Sequence, residues 1–186
     1  MRGTRSLAAA VIVVGLGSLA SSSPPTTQQT APATPPAATP AAPMPAVLRD
    51  YKPVTAERLK NPDAGDWLMV RRTWDGWGYS PLEQITPANV ATLQPAWVVS
   101  TGVTNGHEAP PIVNNGVMFV ATPGNQVIAL DAKSGAVLWR YKRPLAEDVV
   151  LLHGTSRGVA LSGDKVFFAA AEAVLVALDA RTGREV

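Results

Sequence analysis

Residues 129–135, Ala-Leu-Asp-Ala-Lys-Ser-Gly, return 48 residues later as residues 177–183, Ala-Leu-Asp-Ala-Arg-Thr-Gly. The apolar runs before the two copies, residues 117–121 and 166–170, also correspond when one residue of slippage is allowed. Self-similarity at this period in a strand-rich sequence is typical of a β-propeller, in which each repeat is one antiparallel blade. Because one blade buries too little apolar surface to stand alone, we expect either a fragment or a module that needs neighbouring blades.

Short apolar segments separated by turn residues fill the chain from residue 112 onward. Asn114-Asn115-Gly116 is a strong hairpin signal. A second turn is predicted after Asp131, because an aspartate side chain can bond the backbone ahead of it and Gly135 can adopt a positive φ. The pattern predicts four strands in the first repeat and three in the second, at residues 112–113, 117–121, 126–130 and 137–141, then 158–162, 166–170 and 174–178.

The repeated turn lies in a longer frame that has Ala, Asp, Gly and Trp at positions 1, 3, 7 and 11. The first copy contains all four, with Trp139 at the last position, whereas position 11 of the second copy would be residue 187. A domain boundary at this point would leave an unpaired strand edge. We therefore expect the sequence to be an N-terminal piece of a longer protein, of which residues 47–186 are a partial propeller.

The first 46 residues have the composition of a leader rather than of a core. Arg2 and Arg5 precede an apolar run at residues 7–19, which is short for a membrane span, so residues 1–20 are predicted to be a secretory signal peptide. Residues 21–46 are rich in Pro, Ala, Thr and Ser and predict a disordered linker. An uncleaved anchor and a leader without a role are the alternatives.

The composition of the chain argues against several classes of function. The chain has no cysteine, which excludes a disulfide and fits an exported protein that folds without one. Its net charge is only +2 and its basic residues are scattered, so the sequence offers no support for a nucleic-acid partner. It also shows no nucleophile–base arrangement, no phosphate-binding loop and no set of metal ligands.

Between the linker and the first repeat, the sequence predicts two short helices and one strand. Thr55 is placed to cap a helix over residues 55–60. A second helix is predicted over residues 86–93, because Thr86 can cap it and a proline follows at the first helical position. Residues 97–99, Trp-Val-Val, predict a strand.

Four stretches carry a resemblance to a known family. They are residues 74–82 (WDGWGYSPL) with Trp97 after them, residues 107–119, the Ala-x-Asp-x-x-x-Gly-x-x-x-Trp frame, and residues 155–160. Each stretch alone is a weak signal, but together their order and spacing resemble the N-terminal portion of the pyrroloquinoline quinone (PQQ) dependent alcohol dehydrogenases, the methanol and ethanol dehydrogenase group. The resemblance covers roughly residues 54–186.

The resemblance implies an all-β, eight-bladed propeller with PQQ on its axis above a calcium or lanthanide ion. Glu108 matches the family's PQQ-contacting glutamate, and a carboxyl group can accept from the ring N–H or share a proton with a PQQ carboxylate. Arg157 matches the family's arginine that reaches the quinone oxygens. A guanidinium group suits this role because it is planar, permanently charged and carries several N–H donors. The structural alternatives are a solvated loop glutamate and a surface arginine.

One departure from the family concerns the cover over the cofactor. Many members have a vicinal cysteine pair whose disulfide lies over one face of PQQ, and the matching positions here are Leu151 and Leu152. This chain cannot form that disulfide. Leucine side chains could still cover a flat ring by apolar packing, so the resemblance continues to imply PQQ binding.

By the same resemblance, the complete protein is expected to be a periplasmic enzyme that oxidises an alcohol to an aldehyde and passes electrons to a cytochrome c. The metal ligands and the catalytic aspartate are expected beyond residue 186, together with the remaining propeller blades. The chain alone is therefore expected to hold no catalytic residue and no activity. The alternatives are a non-enzymatic propeller scaffold in envelope protein assembly and a degraded gene product without function.

Overall fold

A computed structural model describes residues 43–151 and 153–186. The predicted signal peptide and residues 21–42 of the predicted linker lie outside these residues. The described part contains two short helices, one 3₁₀ turn and seven strands. They are α1 (Ala46–Arg49), α2 (Ala56–Lys60), the 3₁₀ turn Val90–Thr92, β1 (Ile112–Asn114), β2 (Val117–Thr122), β3 (Gln126–Asp131), β4 (Val137–Lys142), β5 (Val159–Ser162), β6 (Lys165–Ala169) and β7 (Leu175–Asp179).

The strands form two antiparallel sheets, one for each sequence repeat. The first sheet has the order β1-β2-β3-β4 and the second has the order β5-β6-β7. Every predicted strand of the two repeats is present, with its ends within one residue of the prediction. Each sheet connects its strands consecutively through short turns, which is the arrangement of a propeller blade. The predicted repeat architecture is confirmed.

Turn chemistry determines where the strands reverse. Asn115 and Gly116 both have positive φ, 48° and 83°, as the predicted two-residue hairpin between β1 and β2 requires. After β3, Oδ1 of Asp131 accepts hydrogen bonds from the backbone N–H groups of Lys133 and Ser134, at 2.9 and 2.8 Å. These bonds, the one from Ser134 first, lower the pKa of the Asp131 carboxyl. The equivalent turn after β7 repeats the pattern around Asp179.

Trp139 joins the two sheets through the second copy of the turn. Its indole N–H donates to the carbonyl oxygen of Ala180 at 3.0 Å, and its ring lies against Gly183. A Cβ atom added to Gly183 would lie 2.6 Å from the indole Cε3, so only glycine allows this approach. The predicted frame therefore describes a contact between successive blades, in which the tryptophan of one repeat docks onto the glycine of the next.

Trp97 makes the same contact with the first copy of the turn. Its indole N–H donates to the carbonyl oxygen of Ala132 at 3.2 Å, and a Cβ added to Gly135 would lie 2.6 Å from its Cδ2. The sequence pattern predicts a strand at Trp97 and does not identify it as a docking tryptophan. The spacing between Trp97 and Gly135 differs from that between Trp139 and Gly183, which concealed the correspondence.

The strand prediction for residues 97–99 is wrong for the described chain. These residues have no strand pairing, and Val98 is exposed. A strand requires backbone pairing with a second strand, and none of the described strands pairs with residues 97–99. The carbonyl groups that follow, those of Ser100 and Thr101, instead accept hydrogen bonds from the guanidinium of Arg140 at 3.1 and 3.2 Å.

The two helix predictions had different outcomes. The predicted helix over residues 55–60 is confirmed, since Oγ1 of Thr55 accepts from the backbone N–H of Arg58. The predicted helix over residues 86–93 is reduced to a turn followed by the 3₁₀ turn, and Thr86 does not cap it. Instead, the side chain of Asn89 accepts from the N–H of Thr86. A short helix needs a buried apolar face, whereas its apolar side chains are exposed here.

The segment before the first blade packs across both sheets. Val54 forms an antiparallel bridge with Gly163 in the β5–β6 turn, and Trp67 forms one with Val113 in β1. Tyr51 and Leu68 from this segment are buried in the same core as Phe119 and Trp139. Each sheet thus gains backbone partners and apolar cover from the N-terminal segment. Among the described helices, none has the length and apolarity needed to cross a membrane.

Candidate functional site

The two predicted cofactor-binding residues meet at the start of adjacent blades. Glu108 precedes β1, and Arg157 precedes β5, at the equivalent end of the first strand of each sheet. Nη1 of Arg157 lies 2.6 Å from Oε2 of Glu108. The pair therefore lies at the same end of the two sheets, next to the first strand of each.

Both members of this ion pair remain accessible. The Arg157 side chain is 82% exposed and that of Glu108 is 45% exposed. Exposed ion pairs contribute little to folding because water screens them and side-chain entropy opposes them. The pair therefore does little for stability, and both groups are available to an incoming ligand. A guanidinium supplies fixed donors for carboxylate or quinone oxygens, while the carboxylate accepts from an N–H group.

The loop that carries Glu108 is ordered by a histidine. Nδ1 of His107 lies 2.9 Å from the carbonyl oxygen of Asn105, and Nε2 lies 2.9 Å from Oγ1 of Thr101. A carbonyl oxygen only accepts hydrogen bonds, so Nδ1 carries a proton, and in the neutral ring Nε2 accepts from the Thr101 hydroxyl. No local pattern in the sequence indicates these two bonds of His107.

The loop that carries Arg157 packs directly on the Glu108 loop. Gly158 has a φ of +120°, a region that residues with a side chain rarely adopt. A Cβ added there would lie 3.8 Å from Pro110, and the backbone N–H of Gly158 donates to Oγ of Ser156. Farther along the same loop, Gly154 lies beside the side chain of Asn105. The two loops thus hold Arg157 and Glu108 at a short separation.

A small cavity of about 180 Å³ lies beside Arg157, between the two sheets. Asn125, in the turn between β2 and β3, closes one wall: its side chain donates to Oε2 of Glu172 at 2.7 Å and accepts from the N–H of Ala171 at 2.9 Å. Glu172 also pairs with the guanidinium of Arg143, and this hydrogen bond lowers the pKa of the Glu172 carboxyl. These bonds join the two blades next to the site.

The structure says less about the predicted cover over the cofactor and about the metal. Leu151 is half-buried, and Leu152 lies outside the described residues, so their predicted role as an apolar cover stays a prediction. In residues 43–151 and 153–186, no group of three histidine or carboxylate side chains is close enough to hold a metal ion. Arg157 and Glu108 have the donor and acceptor groups that a flat, acidic quinone would need.

Comparisons with known proteins agree with this arrangement. Residues 67–186 match the family described as glucose/ethanol/alcohol dehydrogenase, β-propeller domain. The chain is 39% identical over 134 residues to quinohemoprotein alcohol dehydrogenase ADH IIB of Pseudomonas putida, covering 70% of this chain and 19% of that protein. It is 40% identical over 125 residues to 1-butanol dehydrogenase (cytochrome c) of Thauera butanivorans, covering 66% of this chain and 18% of that protein.

A solved structure shows the same similarity. A europium-containing methanol dehydrogenase superimposes with a TM-score of 0.61 at 35% identity, covering 67% of this chain and 23% of that chain. The chain thus spans about a fifth of the length of the relatives that it matches.

Proposed function

Because the chain belongs to the PQQ-dependent alcohol dehydrogenase family, the methanol and ethanol dehydrogenase group, we propose that the complete protein oxidises an alcohol to an aldehyde with PQQ. The chain contributes two blades and one wall of the cofactor site. The observation that carries the proposal is the meeting of Arg157 and Glu108, which precede the first strands of successive blades and lie 2.6 Å apart.

Arg157 and Glu108 have complementary tasks in this proposal. The exposed guanidinium binds and orients carboxylate or quinone oxygens through its planar donors. The Glu108 carboxylate accepts a hydrogen bond from the cofactor ring or holds a proton shared with one of its carboxylates. PQQ, when bound, supplies the electron acceptor that no protein side chain provides. Leu151 and Leu152 exclude water from one face of the cofactor by apolar packing.

The rest of the machinery is assigned to the part of the propeller that these residues do not include. We place the calcium or lanthanide ligands and the catalytic aspartate there, and the lanthanide alternative is supported by the europium-containing relative. A periplasmic cytochrome c accepts the electrons, a role supported by the cytochrome c in the name of the 1-butanol dehydrogenase. The predicted signal peptide at residues 1–20 supports export to the periplasm.

Titration of the complete protein with PQQ tests this assignment. Arg157→Ala removes the charge-assisted hydrogen bonds and is expected to weaken PQQ binding by about tenfold to a hundredfold, corresponding to roughly 1.4–3 kcal/mol. Arg184→Ala is the matched control, since Arg184 is an exposed arginine in the turn after β7. Its affinity for PQQ should equal that of the unchanged protein.

Two outcomes would contradict the assignment. Equal PQQ affinity and turnover in the Arg157→Ala variant would remove Arg157 from the site. A complete protein that neither binds PQQ nor oxidises any primary alcohol would favour the alternative of a non-enzymatic propeller scaffold.

A further inference from the structure

Arg72 is a buried arginine in a strained backbone conformation. It is only 8% exposed, and its φ is +67°, which is unfavourable for a residue with a side chain. Its backbone N–H donates to the carbonyl oxygen of Met69 at 3.0 Å, which closes a tight turn just before the family-like stretch at residues 74–82. Packing therefore holds a permanent positive charge in the protein interior at this turn.

No carboxylate of the described chain lies within 4 Å of that guanidinium. Nη2 of Arg72 reaches only the carbonyl oxygens of Pro62 and Asp63, at 3.3 and 3.4 Å, and its Nε has no acceptor. All fourteen Asp and Glu residues of the sequence lie within residues 43–186. Within the described part of the chain, the ion pairs closer than 4 Å do not include Arg72. A buried guanidinium without a counter-charge is strongly unfavourable.

Arg72 lines a cavity of about 460 Å³ that is open to the surface and walled by aromatic rings. Trp77 and Tyr79 form its rim and are 77% and 71% exposed. Asp75 also lines the cavity, but its carboxylate accepts from the hydroxyl of Thr73 and from the backbone N–H of Trp77. Arg72 and Asp75 thus line this cavity together with the apolar rings of Trp77 and Tyr79, and arginine and aromatic side chains are enriched in the cores of protein interfaces.

The surroundings favour a protein segment over a small acid as the occupant. Large apolar side chains are exposed throughout residues 74–98, and a small acid would leave most of them in water: Trp74, Trp77, Tyr79, Leu82, Ile85, Val90, Leu93 and Val98. The chain spans about a fifth of the length of its relatives, whose matching domain is a β-propeller. Blades of a propeller pack against one another around a ring. Further blades are therefore the protein segments that would bury these apolar side chains.

We propose that the Arg72 cavity receives an Asp or Glu side chain from the propeller blades beyond residue 186. This carboxylate pairs with the guanidinium of Arg72 between Trp77 and Tyr79 and joins the beginning of the chain to a later blade. The proposal rests on the complete propeller of the proposed function. It assigns Arg72 to assembly of the ring and not to the PQQ site at Glu108 and Arg157.

Zero-length cross-linking of the complete protein tests the pair. A carbodiimide joins an amine to a carboxylate within contact distance, with loss of water to the reagent, and it does not react with a guanidinium. The Arg72→Lys variant keeps the positive charge and is expected to give one cross-linked peptide from position 72 to an Asp or Glu beyond residue 186. The matched control is Arg71→Lys, since Arg71 is the adjacent, exposed arginine, and it should give no such peptide.

Several results would overturn the proposal. A cross-link from position 72 only to Asp75 would be one such result. Another would be no cross-link in an Arg72→Lys variant that still binds PQQ. The third would be the same cross-link in the Arg71→Lys control. If the Arg72→Lys variant does not fold, a crystal structure of the unchanged complete protein decides. A carboxylate oxygen of a later blade within about 4 Å of the Arg72 guanidinium supports the pair, whereas a water or a small anion there contradicts it.

PQQ binding separates this proposal from the proposed function. A protein that binds PQQ but lacks the cross-link disproves only the Arg72 pair. A protein that shows the cross-link but does not bind PQQ disproves only the cofactor assignment.

Discussion

Gly135 and Gly183 each need a positive φ and the absence of a Cβ atom, a combination that only glycine provides. Their φ values are +74° and +70°, and each lies flat against the indole of a docking tryptophan. The positive φ alone would tolerate asparagine at a moderate cost, but the indole contact leaves no room for a Cβ atom. The glycine of the repeated turn is therefore both a turn residue and the surface on which the previous blade docks.

Replacement of Gly135 by alanine separates these two requirements. Gly135→Ala is expected to lower the free energy of unfolding by about 3 kcal/mol, because backbone strain and overpacking against Trp97 add together. Gly124→Ala is the matched control: its φ is +76° and an added Cβ would meet no atom within 4 Å, so it should lose only about 1 kcal/mol. Urea-induced unfolding followed by tryptophan fluorescence measures both, and equal losses would contradict the docking role.

Among the strands, β4 connects the two sheets by an apolar contact through Trp139. Trp139 lies near the middle of β4, is 9% exposed, and its ring centroid is 5.8 Å from that of Phe119 in β2. Its N–H reaches across to Ala180 in the turn after β7. The polar bond between Asn125 and Glu172 joins the same two sheets at a separate point. The apolar contact of Trp139 and the hydrogen bond between Asn125 and Glu172 therefore both hold the two blades together.

Two substitutions at position 139 distinguish packing from hydrogen bonding. Trp139→Ala is expected to lower the free energy of unfolding by about 3–5 kcal/mol, because it leaves a large cavity between the sheets. Trp139→Phe retains most of the apolar contact and should lose about 1–2 kcal/mol, since the buried carbonyl of Ala180 loses its donor. Hydrogen exchange of the β6 and β7 amides should be faster in Trp139→Phe than in the unchanged protein, and fastest in Trp139→Ala. Unchanged exchange in Trp139→Ala would contradict the docking role of β4.

Taken together, the described residues form two consecutive blades of a propeller. The N-terminal segment packs across both blades, and the Glu108–Arg157 pair lies next to the first strand of each. Trp97 occupies the docking position of a preceding blade, although no described strand lies beside it. The apolar side chains of residues 74–98 are also exposed, because the two described blades do not pack against them.

The chain produced alone is expected to oxidise no alcohol. It contains Arg157 and Glu108 but, in its described part, no cluster that could hold a metal ion, and a site open on its other sides cannot exclude water. Reduction of an artificial electron-accepting dye, with PQQ, calcium or a lanthanide, and a primary alcohol present, measures this. The complete protein under the same conditions is the positive control. PQQ-dependent turnover by the isolated chain would contradict the expectation.

Some elements were predictable because their causes are local in the sequence. The hairpin at Asn115 and Gly116 and the turn at Asp131 depend on φ preferences and on hydrogen bonds within a few residues. The cap at Thr55 is equally local. The helix predicted over residues 86–93 and the strand predicted over residues 97–99 failed because each needs a packing or pairing partner that lies elsewhere, and local propensity cannot supply it.

The repeat, its turns and the all-β architecture follow from the amino-acid sequence alone, as does the choice of Glu108 and Arg157 through the family resemblance. Three further features are visible only in the folded chain: these two side chains, 49 residues apart, come within 2.6 Å, Trp97 docks on Gly135, and Arg72 is buried with no carboxylate beside it. The difference lies in the distance along the chain over which each interaction acts. Turns follow from neighbouring residues, whereas pairing, docking and burial depend on how the two sheets pack together.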